Sequence, residues 1–222
     1  MKAIVLANGV FPKRDEALRA MQQVPVLVCC DGAYNKLVAS GVFSHSAKLP
    51  DIHVVGDGDS LTEEMRRSAP LPAKFVDGYT EQETNDLTKS VKYAISIGVE
   101  RVLILGATGL REDHTLGNIS LLAQYMSMRT LSGKPLQVRI YSDYGYFTPI
   151  KGTAELESFK GQQVSLFSLD QQAAVSTEGL KYPIQERCLR YWWEATLNEA
   201  LGEKFKITLP PDAEMIVYQT HR

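Results

Sequence analysis

Apolar residues in the first half of the chain come in short solid blocks rather than alternating singles. Lys2–Ala7, Val24–Cys30, His53–Gly56, Lys74–Val76 and Arg101–Leu105 read as strands, and their lack of alternation predicts burial on both faces. Amphipathic stretches lie between them, at Arg14–Gln22, Tyr34–Ala39, Leu61–Ser68, Asn85–Ile97 and Asp113–Met128. In the stretch after Asn85, the residues Leu87, Val91, Ala94 and Ile95 share one helical face. Strand and helix in alternation predict an α/β layer with a largely parallel sheet. Ligands bind such sheets beyond the carboxyl ends of the strands.

After about Leu136 the pattern changes. Short runs rich in Tyr, Phe, Val and Thr are broken by Gly152, Gly161, Gly179, Pro183 and Pro210-Pro211. They predict several short antiparallel strands, with only a turn expected near Asn198–Leu201. The chain therefore reads as an α/β domain over 1–142 and an all-β domain over 143–222.

Composition narrows the class. The 222 residues are 44% hydrophobic and 23% charged with a net charge of -2, as in a globular protein with no overall field for nucleic acid or an anionic membrane. Phosphate binding, if present, has to be local. Cys29, Cys30 and Cys188 are too few for a disulfide scaffold. No apolar stretch approaches the roughly 20 residues of a membrane span. "MKAIVLANG" is interrupted at Asn8-Gly9 too early for a signal peptide. A cytoplasmic location is expected.

Four polar, glycine-bearing stretches follow the strands. In "CCDGAYN", Asp31-Gly32 forms a strand-to-helix turn with Asn35 beyond it, suited to an anion or a ligand hydroxyl or simply to capping. "GDGDS" sets Asp57 and Asp59 one residue apart between glycines. Two carboxylates converging there suit magnesium, which takes oxygen ligands and keeps waters and phosphate oxygens; an acidic turn with a helix cap is the plain alternative. In "TEQETNDLTKS", Asp86 occupies a first helical turn with Lys89 three residues on, while Gln82 and Glu83 precede it. In "GATGLREDHTLGN", Gly109, Arg111, Asp113, His114 and Asn118 combine turn N–H groups with a guanidinium fork for phosphate. This segment is neither a Walker loop nor a dinucleotide fingerprint. Metal-holding carboxylates beside an arginine-bearing turn are the parts that phosphoryl-type transfer needs.

Taken in order, the four stretches resemble the thiamine pyrophosphokinase family. That family carries Asp-Gly-x-x-Asn, Gly-Asp-x-Asp-Ser, Thr-Asp-x-x-Lys and Gly-Gly-Arg-x-Asp-His-x-x-x-Asn. Here they stand as Asp31-Gly32…Asn35, Gly56–Ser60, Asn85-Asp86…Lys89 and Gly109-Leu110-Arg111…Asp113-His114…Asn118. "STEGLKYPI", Ser176–Ile184, resembles a further family stretch. The resemblance implies a Rossmann-like α/β domain and a β-sandwich domain that binds thiamine and dimerises. It implies magnesium-dependent transfer of a pyrophosphoryl group from ATP to thiamine, with release of AMP, in a homodimer with active sites at the subunit interface. By position, Asp57, Asp59 and Asp86 would hold magnesium, with Lys89 and Arg111 also catalytic. Asp31, Gly32, Asn35, Gly109, Arg111, Asp113, His114 and Asn118 would line the ATP site, and Gln82, Ser176 and Tyr182 would face thiamine. The chain departs from the family pattern at Glu83, Asn85, Leu110 and Leu197. The alternatives are a thiamine-binding regulatory module without chemistry, and another Asp-x-Asp metal-dependent nucleotide transferase.

Overall fold

In the computed structural model, which describes residues 1–56, 69–76 and 84–222, the chain forms two units, Met1–Asp143 and Tyr144–Arg222. The first is built on six parallel strands: β1 (Lys2–Leu6), β2 (Val26–Cys30), β3 (Asp51–Val55), β4 (Lys74–Val76), β5 (Arg101–Leu105) and β6 (Gln137–Tyr141). Their order is β6-β5-β1-β2-β3-β4. The solid apolar blocks of β1, β2, β3 and β5 are buried as their lack of alternation predicts: all five residues of β2 are enclosed, and so are Val5, Val55 and Ile104. The block Lys74–Val76 departs from that expectation, because β4 is the edge strand and its residues are exposed or half-buried. Strand β6 was not among the strand readings. Its residues alternate exposed and buried, which sets it apart from the solid blocks, yet it pairs in parallel with β5 along its whole length.

Four helices are described in this unit: α1 (Asp15–Gln23), α2 (Ala33–Ser40), α3 (Asp86–Ser96) and α4 (Glu112–Ser127). Helix α3 begins where Asn85 accepts a hydrogen bond on its side-chain oxygen from the Thr88 N–H at 2.8 Å. It buries Leu87, Val91 and Ala94. A buried hydrogen bond of 2.8 Å between Thr88 and Tyr125 ties α3 to α4. The helix expected over Leu61–Ser68 lies outside the described residues.

The sheet order reverses direction at β1. Strands β2, β3 and β4 run outward on one side of it, and β5 and β6 on the other. The crevice beyond the carboxyl ends of β1 and β5 is therefore the topological switch point, where open α/β sheets bind ligands.

The second unit is all-β, as expected from its short, punctuated runs. One sheet has the order β12 (Asn198–Glu199), β9 (Gln163–Ser168), β14 (Glu214–Thr220), β7 (Gly145–Lys151). The other has β11 (Arg187–Cys188), β10 (Ala174–Glu178), β13 (Lys204–Thr208), β8 (Ala154–Glu157). Every pairing is antiparallel, and the inward residues of both sheets, Leu166, Met215 and Val217 with Val175, Phe205 and Ile207, share one core. This is the β-sandwich that the resemblance implies. Two local features differ from the sequence reading. The turn expected near Asn198–Leu201 is strand β12 followed by a bridge between Leu180 and Ala200, and Trp192–Ala195 forms a single 3-10 turn.

Candidate active site

Glycine lets the turns after β1 and β5 approach at backbone distance. The Gly9 N–H donates to the Gly106 carbonyl at 2.7 Å, and the Val10 N–H donates to the Thr108 carbonyl at 3.0 Å. A Cβ on Gly9 would stand 2.3 Å from that same Gly106 oxygen, so no side chain fits there. Gly109 adopts φ +78 beneath Val10, and Leu110 continues the left-handed turn at φ +64. The second Gly common in the family at position 110 suits that φ; Leu110 adopts it with its side chain 67% exposed.

A cavity of about 700 Å³ opens beside these two turns. Asn8, Gly9 and Gly32 form one wall, the start of α3 with Asn85 and Asp86 another, and Gly109, Arg111, His114 and Asn118 a third. Cys30 lies in its lining, buried and 3.4 Å from the Ser90 hydroxyl. Burial pushes its thiol up to about 12, so it stays neutral and serves as packing. Asn118 donates to the Ala107 carbonyl at 2.8 Å and thereby holds the β5 turn against α4.

Arg111 and Asp113 are both exposed and form a forked ion pair, with Nε 3.0 Å and Nη2 2.5 Å from the carboxylate oxygens. The hydrogen bond from Arg111 holds the Asp113 carboxyl below its usual range, and the same bond raises the Arg111 guanidinium. A phosphate arriving at Arg111 would exchange one anionic partner for another at little desolvation cost.

Asp86 sits in the first turn of α3 with its side chain 40% exposed at the cavity wall. The Lys89 ammonium approaches it to 3.5 Å and is itself buried. Asp31 is buried, and neither it nor Asn35, Asp113 or Lys89 lies in the cavity lining. Asp57, Asp59 and Gln82 lie outside the described residues. Among the described residues no three His, Cys, Asp or Glu side chains are gathered as a metal would need. Of the carboxylates expected to hold magnesium, Asp86 is the one among the described residues; it lines the cavity and is the oxygen-donor type that a hard cation takes. Gly56, the last described residue before Asp57, is packed against Asp31 so closely that a Cβ would lie 2.6 Å from that side chain.

In the second unit, Ser176 lies on β10 and accepts a hydrogen bond from the Glu186 N–H at 3.0 Å. Tyr182 is 61% exposed, with the Lys181 ammonium 5.9 Å from its ring centre. Two polar residues that shape the first unit's cavity were not singled out in the sequence: Asn8, in its wall, and Lys36. The Lys36 ammonium donates to the Asn8 and Gly9 carbonyls at 2.7 Å each. The dipeptide Asn8-Gly9 after an apolar strand was the available signal, whereas nothing in the sequence around Lys36 marks its target.

Comparison with known proteins adds to this geometry. A family model for the thiamin pyrophosphokinase catalytic domain matches residues 17–131, and one for the thiamin pyrophosphokinase substrate-binding domain matches residues 145–218. Thiamine pyrophosphokinase 1 of Oryza sativa subsp. japonica is 25% identical over 96% of this chain and 85% of its own length. Thiamine pyrophosphokinase of Bacillus subtilis is 35% identical over 38% of this chain and 39% of its own. The crystal structure of a thiamin pyrophosphokinase family protein from Enterococcus faecalis has TM-score 0.76 at 18% identity, covering both chains fully. Thiamin pyrophosphokinase from Candida albicans has TM-score 0.80 at 16% identity, covering all of this chain and 90% of that one. With both of its domain models matched in order along the sequence, the chain belongs to the thiamin pyrophosphokinase family.

Proposed function

We propose that the protein transfers a pyrophosphoryl group from ATP to thiamine in a magnesium-dependent reaction, giving thiamine diphosphate and AMP. The observation that carries this reading is the cavity at the β1/β5 switch point, which brings turn glycines, a carboxylate and an arginine together. In the balanced step, the hydroxyethyl oxygen of thiamine forms a bond to the β-phosphorus of ATP. The bond from that phosphorus to the oxygen bridging to the α-phosphorus breaks. AMP leaves with that oxygen, and the hydroxyl proton is released.

Each group has a task in this reading. Magnesium would be held by Asp86 together with Asp57 and Asp59, and it supplies charge neutralisation along the triphosphate. Arg111 turns its fork from Asp113 to phosphate, with His114 beside it in the cavity lining. Gly32 and Gly109 leave backbone open to the nucleotide, and Asn118 keeps the second of these turns in shape. Asp31 and Asn35 support the nucleotide wall from beside it. Lys89 holds Asp86 in orientation from its buried position. Gln82, Ser176 and Tyr182 face thiamine, whose thiazolium cation suits an aromatic ring. The working form is a cytoplasmic homodimer with its sites at the subunit interface.

The test is incubation with magnesium, ATP and thiamine, with the products separated by chromatography. AMP and thiamine diphosphate in equal amounts, and only with magnesium, is the expected result; ADP in place of AMP would overturn the pyrophosphoryl assignment. Asp57→Asn and Asp59→Asn each lower turnover by about 10²-fold or more, at least the cost of losing an outer-sphere partner of a metal, with the fold intact by circular dichroism. Near-normal rates in both would end the metal assignment.

A further inference from the structure

We propose that Asn198 is a positioning residue for thiamine recognition, acting through the main chain of Tyr182. It rests on the reading above that Tyr182 faces thiamine. The Asn198 side chain is buried within the second unit, and its amide makes a matched pair of bonds with one residue. Its Nδ2 donates to the Tyr182 carbonyl at 2.7 Å, and its Oδ1 accepts from the Tyr182 N–H at 3.1 Å. The same oxygen accepts from the Glu199 N–H at 2.9 Å. Beyond the Lys181 ammonium 5.9 Å from its centre, this 61% exposed ring has little packing to fix it, so here orientation comes mainly from the backbone beneath.

Two further observations point the same way. The turn carrying Tyr182 is held at its far end by side chains as well. Thr177 Oγ1 accepts from the Ile184 N–H at 2.9 Å, and Ser176 Oγ accepts from the Glu186 N–H at 3.0 Å. The chain also bears strain to aim the amide. Leu197, immediately before Asn198, adopts φ +58 with its side chain 75% exposed. A left-handed leucine with so little packing is unfavourable in itself and persists only where its surroundings impose it. The reward next to it is the triply bonded Asn198.

The test is a double-mutant cycle on the full-length enzyme, read as KM for thiamine, KM for ATP and kcat. Asn198→Asp keeps the shape but replaces the donor to the Tyr182 carbonyl with an acceptor; Asn198→Ala is run beside it in case a buried carboxylate proves too costly to fold. In the Asn198 variant that folds, the thiamine KM rises on the order of tenfold, the worth of a well-placed cation–aromatic contact. ATP KM and kcat stay within about twofold, a split that a merely structural role would not produce. In the Tyr182→Ala background, the Asn198 substitution adds nothing further to the thiamine KM. A full additional effect in that background overturns the proposal while leaving Tyr182 as a thiamine contact. An equal rise in both KM values with a fall in kcat overturns it too. If Tyr182→Ala alone leaves the thiamine KM unchanged, the reading of Tyr182 fails, and the proposal falls with it.

Discussion

Residue by residue, three positions among those described hold a side chain in left-handed backbone: Leu110, Glu186 and Leu197. At each, the surrounding fold holds a conformation that glycine would take freely. Leu197→Gly therefore stabilises the protein by about 0.5–1 kcal/mol, since the exposed side chain loses little packing; chemical denaturation checks this, and a loss of stability would contradict the strain. The cysteines make a second case. Cys29 and Cys30 are buried and Cys188 is exposed, so at about pH 8 iodoacetamide labels one thiol in three in the folded protein and all three in denaturant. Mass spectrometry showing more than one label on the native chain would contradict the burial. Burial raises the Cys30 thiol from 9.0 to about 12. An unfolded chain releases that proton earlier, so the stability linked to the thiol is whole below about pH 9 and is lost as pH climbs towards 12.

Elements carry the next layer of consequence. The β1 and β5 turns touch through backbone, so a methyl group at Gly9 has to displace the Gly106 carbonyl rather than a flexible side chain. Gly9→Ala destabilises by roughly 2–3 kcal/mol, the range for a forced backbone shift, and opens the cavity wall. Thermal melting together with nucleotide affinity measures both effects; an unchanged melt would mean that the two turns part easily. Strands β1, β2, β3 and β5 were legible in the sequence because burial on both faces leaves solid apolar blocks, whereas β4, a half-buried edge strand, showed only as the short run Lys74–Val76. β6 alternates like a surface strand, and its place in the parallel sheet depends on a partner 36 residues earlier. The single 3-10 turn at Trp192–Ala195 is too short to show a period. In the candidate site, glycine turns and acids announce themselves by type and spacing. Asn85 is legible in hindsight as a helix cap, a role that Asn fills at least as well as Thr. Lys36 is not legible, because its task is to bind two main-chain carbonyls brought to it by the fold.

For the whole molecule, the proposed metal set of Asp57, Asp59 and Asp86 would carry carboxylates that repel one another until a cation arrives. Saturating magnesium with ATP at about 100 times its dissociation constant stabilises the folded state by about 2.7 kcal/mol. Magnesium with ATP raises the melting temperature more than either alone. No shift with both present would count against a shared site for metal and nucleotide.

The placement of the aromatic residues gives the molecule two separate optical signatures. Both tryptophans of the sequence, Trp192 and Trp193, lie exposed in the second unit, while the four described α-helices all belong to the first. Indole emission therefore reports on the sandwich, and far-ultraviolet dichroism at 222 nm is weighted towards the α/β layer. Recorded on one sample through one denaturant titration, the two signals follow the two halves of the chain without any added label. Coincident curves would describe one cooperative molecule, and separated curves would give each half its own midpoint.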